Sequence, residues 1–198
     1  MALFWLILII LLPVAILLVY GRISGRCLEG DCRDGQGTFL YPNGDKYSGS
    51  FRKGLKEGEG RYLFRSGARY TGQWRHDQQN GRGTYTSPKG EKYTGDFVDN
   101  RFEGEGEWML PDGGRYIGGF AAGKPHGRGT YHYPNGDRYD GELRHGWQHG
   151  KGIYTYANGD EYVGGFKEGC KDGLGTYTFA DGKRMAGQFA KDWFAGEG

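Results

Sequence analysis

The feature that most limits what this chain can fold into is a repeat of 23 residues. A Gly-x-Gly unit begins at Gly35, Gly58, Gly81, Gly104, Gly127, Gly150, Gly173 and Gly196, with no insertion or deletion anywhere in the series. Two further columns keep the same step. One holds Phe39, Tyr62, Tyr85, Trp108, Tyr131, Tyr154 and Tyr177; the other holds Tyr47, Tyr70, Tyr93, Tyr116, Tyr139, Tyr162 and the deviant Met185. A third closes the unit with Phe51, Trp74, Phe97, Phe120, Leu143, Phe166 and Phe189, each two residues after a glycine. A fixed period of this length is the signature of a repeat architecture, in which each unit packs only on its neighbours.

Within a unit, two short alternating runs flank Pro42-Asn43-Gly44, repeated as Pro134-Asn135-Gly136 and more loosely as Pro111-Asp112-Gly113 and Pro88-Lys89-Gly90. That is a β-hairpin signal. A two-residue loop would put Phe39 and Tyr47 on opposite faces. A three-residue loop pairs Tyr41 with Asp45, suits proline at the first corner of a type I turn, and brings all the ring columns onto one face. Phe39 then lies opposite Tyr47, Gly37 opposite Gly49 and Phe51 opposite Gly35, so each Gly-x-Gly is read as making room for a neighbouring ring. The other face carries Thr38, Leu40, Lys46, Ser48 and Ser50 and their equivalents, as in an antiparallel sheet that is wet on one side.

The 40 glycines lack collagen's every-third-residue pattern, and the rings exclude a disordered linker. Aliphatic residues are concentrated in residues 1–21, so no thick aliphatic core is expected beyond them. The 26 basic and 24 acidic side chains nearly cancel. No field of the kind that draws a protein onto nucleic acid is present, and nucleic acid is not an expected partner.

Tyr116, Gly118, Phe120, Gly123, His126, Gly127 and Gly129 follow the pattern Tyr-x-Gly-x-aromatic, a loop ending in Gly, then Gly-x-Gly. In this the chain resembles the MORN repeat family over residues 34–198, as seven repeats and the start of an eighth. The resemblance implies an all-β fold: an elongated, single-layer, twisted antiparallel sheet of consecutive hairpins, here fourteen strands over residues 34–195. It also implies use in protein interaction, dimerisation, membrane association or anionic-phospholipid binding, and it implies no enzymatic activity. Departures from the pattern are Met185, Leu143, and Asp77, Asn100 and Asp192 at the loop glycine.

Leu3 to Tyr20 reads as an uncharged apolar run, about the number of residues that crosses a ~30 Å hydrocarbon core as a helix. Residues 1–21 are therefore expected to form one transmembrane helix, a signal anchor, with residues 22–33 as a juxtamembrane linker. No basic n-region or A-x-A site supports a cleaved signal peptide. Arg22, Arg26 and Arg33 follow the span and place the repeats in the cytoplasm by the positive-inside rule. Cys27 and Cys32 are the one close cysteine pair, a candidate disulfide if the domain faces an oxidising compartment and ordinary thiols in cytosol.

None of the nucleophile elbows, zinc-protease helices, phosphate loops or dinucleotide fingerprints occurs. His145 and His149 have a plausible ligand spacing but fall in loop columns of the repeat. Asp45, Glu91, Asp137 and Asp160 recur beside the turn, where short carboxylates satisfy turn amides. No cofactor or metal is expected. Two surfaces remain as candidates. The ring face, made of Phe39, Tyr47, Phe51, Tyr62, Tyr70, Trp74, Tyr85, Tyr93, Phe97, Trp108, Tyr116, Phe120, Tyr131, Tyr139, Tyr154, Tyr162 and Phe166, is a candidate for binding a protein partner or a second copy. The basic column Lys46, Arg69, Lys92, Arg115, Arg138 and Arg184 on the other face is a candidate for anionic headgroups. The function expected is a membrane-anchored, non-catalytic interaction scaffold, with lipid-headgroup binding and cell-envelope glycan binding as alternatives.

Overall fold

The computed structural model describes residues 25–196. The expected transmembrane helix over residues 1–21 lies outside the described residues, and among those described no helix is long and apolar enough to cross a membrane. The chain divides into two compact units, the first ending at Gln78 and the second starting at Gln79.

The first unit contains β1 (Arg26–Gly30), β2 (Gln36–Leu40), β3 (Lys46–Arg52), β4 (Leu55–Leu63) and β5 (Arg69–Arg75). Each strand pairs antiparallel with its sequence neighbour. The second unit contains β6 (Gln78–Thr86) from Gln79 on, β7 (Lys92–Val98), β8 (Arg101–Met109), β9 (Arg115–Ala121), β10 (Lys124–His132) and β11 (Arg138–Arg144). It continues through β12 (Trp147–Thr155), β13 (Glu161–Lys167), β14 (Cys170–Thr178), β15 (Arg184–Ala190) and β16 (Trp193–Gly196). From β6 onward these too pair in sequence order. Hairpin after hairpin, each strand finds its partner within a few residues, so no crossover connection is needed.

Two strands exceed the fourteen expected. β1 lies inside the segment read as a linker and pairs with β2, with Cys27 opposite Phe39 and the Cys27–Cys32 disulfide closing the turn at a Cα separation of 5.9 Å. β16 pairs with β15 and occupies the place that the start of β14 holds one repeat earlier, reaching the first glycine of the eighth Gly-x-Gly at Gly196.

The three-residue loop is present. The Tyr41 amide donates to the Asp45 carbonyl at 2.9 Å and the Gly44 amide to the Tyr41 carbonyl at 3.0 Å, with the same pair of bonds at Tyr133 and Tyr156. Phe39 faces Tyr47 and Gly37 faces Gly49, while the Phe51 amide donates to Gly35. The connections on the opposite edge are tight turns followed by a bulge, seen as a register break between Gly49 and Phe51 and repeated down the sheet. Asp77, Asn100 and Asp192, which replace the loop glycine, adopt its left-handed backbone with φ of 67°, 66° and 72°. Their side chains compensate by accepting the amides of Lys56, Gln79 and Lys171 at 2.9 Å. Asn and Asp are the non-glycine residues that best tolerate that conformation.

A single sheet has no second layer, so the core is built from rings lying flat across the strands. In the first unit Tyr47 packs edge-on to Phe51 at 5.0 Å and to Trp74 of the next repeat at 5.3 Å. In the second, Tyr93 meets Phe97 at 5.1 Å and Phe120 at 4.9 Å, and Tyr162 meets Phe166 at 5.2 Å and Phe189 at 4.9 Å. Such edge-to-face pairs add to the burial of the rings themselves. Each buried tyrosine also satisfies its hydroxyl locally, donating to the carbonyl three residues on, as Tyr47 does to Ser50 and Tyr116 to Gly119 at 3.0 Å.

Candidate interaction surface

Burial sorts the seventeen rings of the candidate face into two groups. Tyr47, Tyr70, Tyr93, Tyr116, Tyr139 and Tyr162 are 0% exposed, and Phe51, Trp74, Phe97, Phe120 and Phe166 are buried with them. These eleven are core, covered by their own neighbours rather than held out for a partner. The other six, Phe39, Tyr62, Tyr85, Trp108, Tyr131 and Tyr154, are half-buried and present ring surface to solvent, as does Tyr177, which continues their column.

A second ring column, not singled out in the sequence, stands beside it. Tyr41, Phe64, Tyr133, Tyr156 and Phe179 lie two residues further on, hence on the same face of the strand. The signal was present as another 23-residue step, interrupted by Ser87 and Leu110. In the first unit Phe39, Tyr41, Tyr62 and Phe64 touch in sequence, with centroids 5.0, 5.6 and 4.6 Å apart. In the second, six rings run Tyr131, Tyr133, Tyr154, Tyr156, Tyr177, Phe179 at 4.4, 5.7, 4.6, 5.7 and 4.9 Å. Each unit therefore carries an aromatic ladder running across its strands.

The ladder rings are held by polar partners at their edges. Asp45 Oδ2 accepts the Tyr62 hydroxyl at 2.7 Å while its Oδ1 accepts the Arg65 amide at 2.7 Å. Asp137 does the same for Tyr154 and Ala157, and Asp160 for Tyr177 and Ala180. The turn carboxylate of one repeat thus staples the next repeat's ladder ring and turn. Burial raises the Asp45 carboxyl, but the Arg65 amide, the Tyr62 hydroxyl and the Asn43 side chain outweigh it and hold the group below its ordinary value. The Tyr133 phenol, which accepts from Gln148 Nε2 at 2.8 Å, is pushed up to about 12, chiefly by burial. The Tyr133 ring stays uncharged at neutral pH.

Two lysines complete the ladders from the inner side. Lys56 Nζ sits 5.0 Å from the Trp74 ring and 5.2 Å from Tyr41, in a salt bridge of 3.2 Å to Asp77. Lys171 Nζ lies 5.2 Å from Tyr177 and 3.0 Å from the Tyr156 hydroxyl. A desolvated ammonium over ring faces is a favourable cation–π arrangement. A cavity of about 260 Å³ opens beside Lys171, lined by Tyr133, Tyr154, Tyr156 and Gln148.

Lys46, Arg69, Lys92, Arg115, Arg138 and Arg184 each begin an odd-numbered strand and are exposed. Arg115 is paired with Glu107 and Arg138 with Asp140, both at 2.7 Å, so the column's charge is partly neutralised on its own face. His145 neighbours His126, with ring centroids 5.5 Å apart. Among the described residues no cluster of three or more His, Cys, Asp or Glu is placed to hold a metal ion.

A MORN repeat model matches seven consecutive stretches, residues 33–46, 47–69, 70–92, 93–115, 116–138, 139–161 and 162–184. The chain belongs to the MORN repeat family. From the second stretch on, each match begins at a buried core tyrosine, so a MORN unit here is that tyrosine's own strand and the strand that follows it. No curated protein matches the chain. Among solved structures, the TCP domain of Drosophila melanogaster SAS-4 (dCPAP), in complex with a proline-rich motif of Ana2 (dSTIL), aligns with a TM-score of 0.51 at 14% identity, covering 83% of this chain and 90% of that one. The G-box domain of the microcephaly protein CPAP aligns with a TM-score of 0.46 at 15% identity, covering 84% and 100%. At 14% identity the likeness of the MORN chain to the SAS-4 domain is one of fold alone.

Proposed function

We propose that this MORN protein is a membrane-tethered, non-catalytic adaptor whose aromatic ladder captures an extended, proline-rich segment of a partner protein. The observation that carries the reading is the six-ring ladder from Tyr131 to Phe179, which stays half-exposed while the adjoining rings are buried. Proline-rich segments are pre-organised as polyproline helices and pack their flat rings on aromatic-lined surfaces at small entropic cost. The neighbouring SAS-4 domain, of similar fold, was solved with such a motif bound.

The test is fluorescence anisotropy of a labelled proline-rich peptide with the full chain in detergent micelles. Binding is expected, weakened about tenfold or more by Tyr133→Ala or Tyr156→Ala and unchanged by Lys46→Gln with Arg69→Gln. Affinity that follows the lysine and arginine changes instead of the ring changes would move the site to the other face.

The tether is the apolar run Leu3 to Tyr20. Arg22, Arg26 and Arg33 favour the cytoplasmic side for the repeats; there the reducing pool would open the Cys27–Cys32 bridge that the structure shows closed. A membrane-permeant alkylating reagent applied to intact cells is then expected to modify both cysteines without prior reduction. Protection of both until a reductant is added would place the domain on the oxidising side.

A further inference from the structure

The ladder of the second unit runs across the strands and repeats once per hairpin. Each hairpin contributes one pair of touching rings, Tyr131 with Tyr133, Tyr154 with Tyr156, and Tyr177 with Phe179, at 4.4, 4.6 and 4.9 Å. Neighbouring strands lie ~4.8 Å apart, so a hairpin advances the pattern by ~9.6 Å. A polyproline helix completes a turn in three residues at ~3.1 Å each, about 9.3 Å. The two periods agree to about 0.3 Å per step, and over three hairpins the mismatch stays below about 1 Å. A ligand lying along the strands would meet one ring pair alone.

Charge narrows the ligand further. Asp137 and Asp160 sit at the edge of the ladder, their carboxylates bonded to the Tyr154 and Tyr177 hydroxyls at 2.7 Å. In the next turn Asp181 is matched by Lys183 at 2.9 Å. Lys171, over the Tyr177 ring, and Asp192 stand at the same cavity, so Asp137, Asp160, Asp181 and Asp192 outnumber Lys171 and Lys183 and the rim is net acidic; ring faces not covered by Lys171 favour cations.

We infer that the ladder reads its ligand in steps of three residues: a polyproline helix laid across the strands sets one proline against each ring pair, and the partner's motif is Pro-x-x-Pro-x-x-Pro with basic residues between the prolines. This rests on the proposed capture of a proline-rich segment and adds its register, direction and charge. Leu110 gives a way to test it by gain. It occupies the position of Tyr133 one repeat earlier, with the same turn bonds to Gly113 and Gly114, and it interrupts the ring column.

The experiment compares two peptides of the same length and composition on the full chain in detergent micelles. One repeats Pro-Ser-Arg; the other has the same residues rearranged so that successive prolines are alternately two and four positions apart. The regular peptide is expected to bind about tenfold or more tightly than the rearranged one. Leu110→Tyr, which adds a ring at the start of the ladder, is expected to tighten a regular peptide long enough to reach it several-fold, and to leave one with three prolines unchanged. Equal affinity for the regular and rearranged peptides, both lost in Tyr133→Ala, would overturn the three-residue step and leave the proline-rich reading standing. Failure of every proline-rich peptide to bind would overturn both.

Discussion

Gly129→Ala is expected to loosen the repeats around β9 to β11 by about 3 kcal/mol or more, while Gly127→Ala costs roughly 1–2 kcal/mol. The two glycines flank Arg128 in the same Gly-x-Gly, yet they do different work. A Cβ at Gly129 falls onto the ring and hydroxyl of Tyr116. Tyr116 is 0% exposed, edge-on to Phe120 at 5.2 Å, and hydrogen-bonded to Gly119, so neither ring nor strand can yield cheaply. A Cβ at Gly127 meets nothing within 4 Å, but its φ is +77°, in the region an L side chain adopts at a cost. Gly123 stands in the same kind of open space at φ +81°. Because repeat proteins open locally, the readout is hydrogen exchange of the amides around Tyr116 in the full chain. Gly127→Ala and Gly123→Ala should raise exchange by similar amounts, well below Gly129→Ala. Equal effects of Gly127→Ala and Gly129→Ala would show that ring clearance is not what the second glycine supplies.

That contrast corrects the sequence reading, in which both glycines of the pair made room for rings. Alternation along a strand puts residues two apart on one face, and by that rule Gly127 and Gly129 are equivalent. The bulge after each tight turn breaks the alternation at Gly127, and a bulge leaves no residue-type signal apart from the glycine itself. Elsewhere alternation held: the pairing of Tyr41 with Asp45 followed from proline and glycine at defined turn positions, and it fixed the faces of every ring column. What alternation does not give is depth. The Tyr47 and Tyr62 columns share a face, but only the first is closed over by the rings of the next repeat, and the sequence treats them alike. Tyr41, Tyr133 and Tyr156 escaped notice because Ser87 and Leu110 break their column where the repeat is otherwise most regular. β1 was missed because the unit it belongs to has no Gly-x-Gly of its own; its partner is found only by extending β2 outward.

The turn carboxylates show how a residue read as local can hold repeats together. Asp137 and Asp160 each take two bonds from the following repeat, one from a ring hydroxyl and one from a turn amide. The amide partners belong to Ala157 and Ala180, positions where other repeats carry proline. Pro111 and Pro134 have no amide to offer, and the residues in the matching place one repeat earlier are Glu91, which turns instead to the Trp108 indole at 2.9 Å, and Gly114, which has no side chain. Asp137→Ala is therefore expected to destabilise its repeat by about 2 kcal/mol, since hydrogen bonds to a charged acceptor are lost and two donors are left without it. Ala157→Pro should remove a part of that, because the turn tolerates proline but the amide is gone. Acid should act in the same direction. Desolvation raises Asp137 and the hydrogen bonds from Tyr154, Ala157 and Asn135 outweigh it; for Asp160 the Tyr177 and Ala180 bonds dominate outright, so both carboxyls titrate below their ordinary value. A group whose folded pKa is depressed contributes stability in full above its unfolded pKa, about 3.9, and loses it as pH falls through the folded value. Hydrogen exchange of the turns at Ala157 and Ala180 should accordingly rise on acidification below about pH 4, beyond the intrinsic change, while the Pro134 turn, whose predecessor is Gly114, shows no such step. In Asp137→Asn the step at Ala157 should vanish and the one at Ala180 remain; a step at Ala157 that survives the substitution would place the acid sensitivity in some other carboxylate.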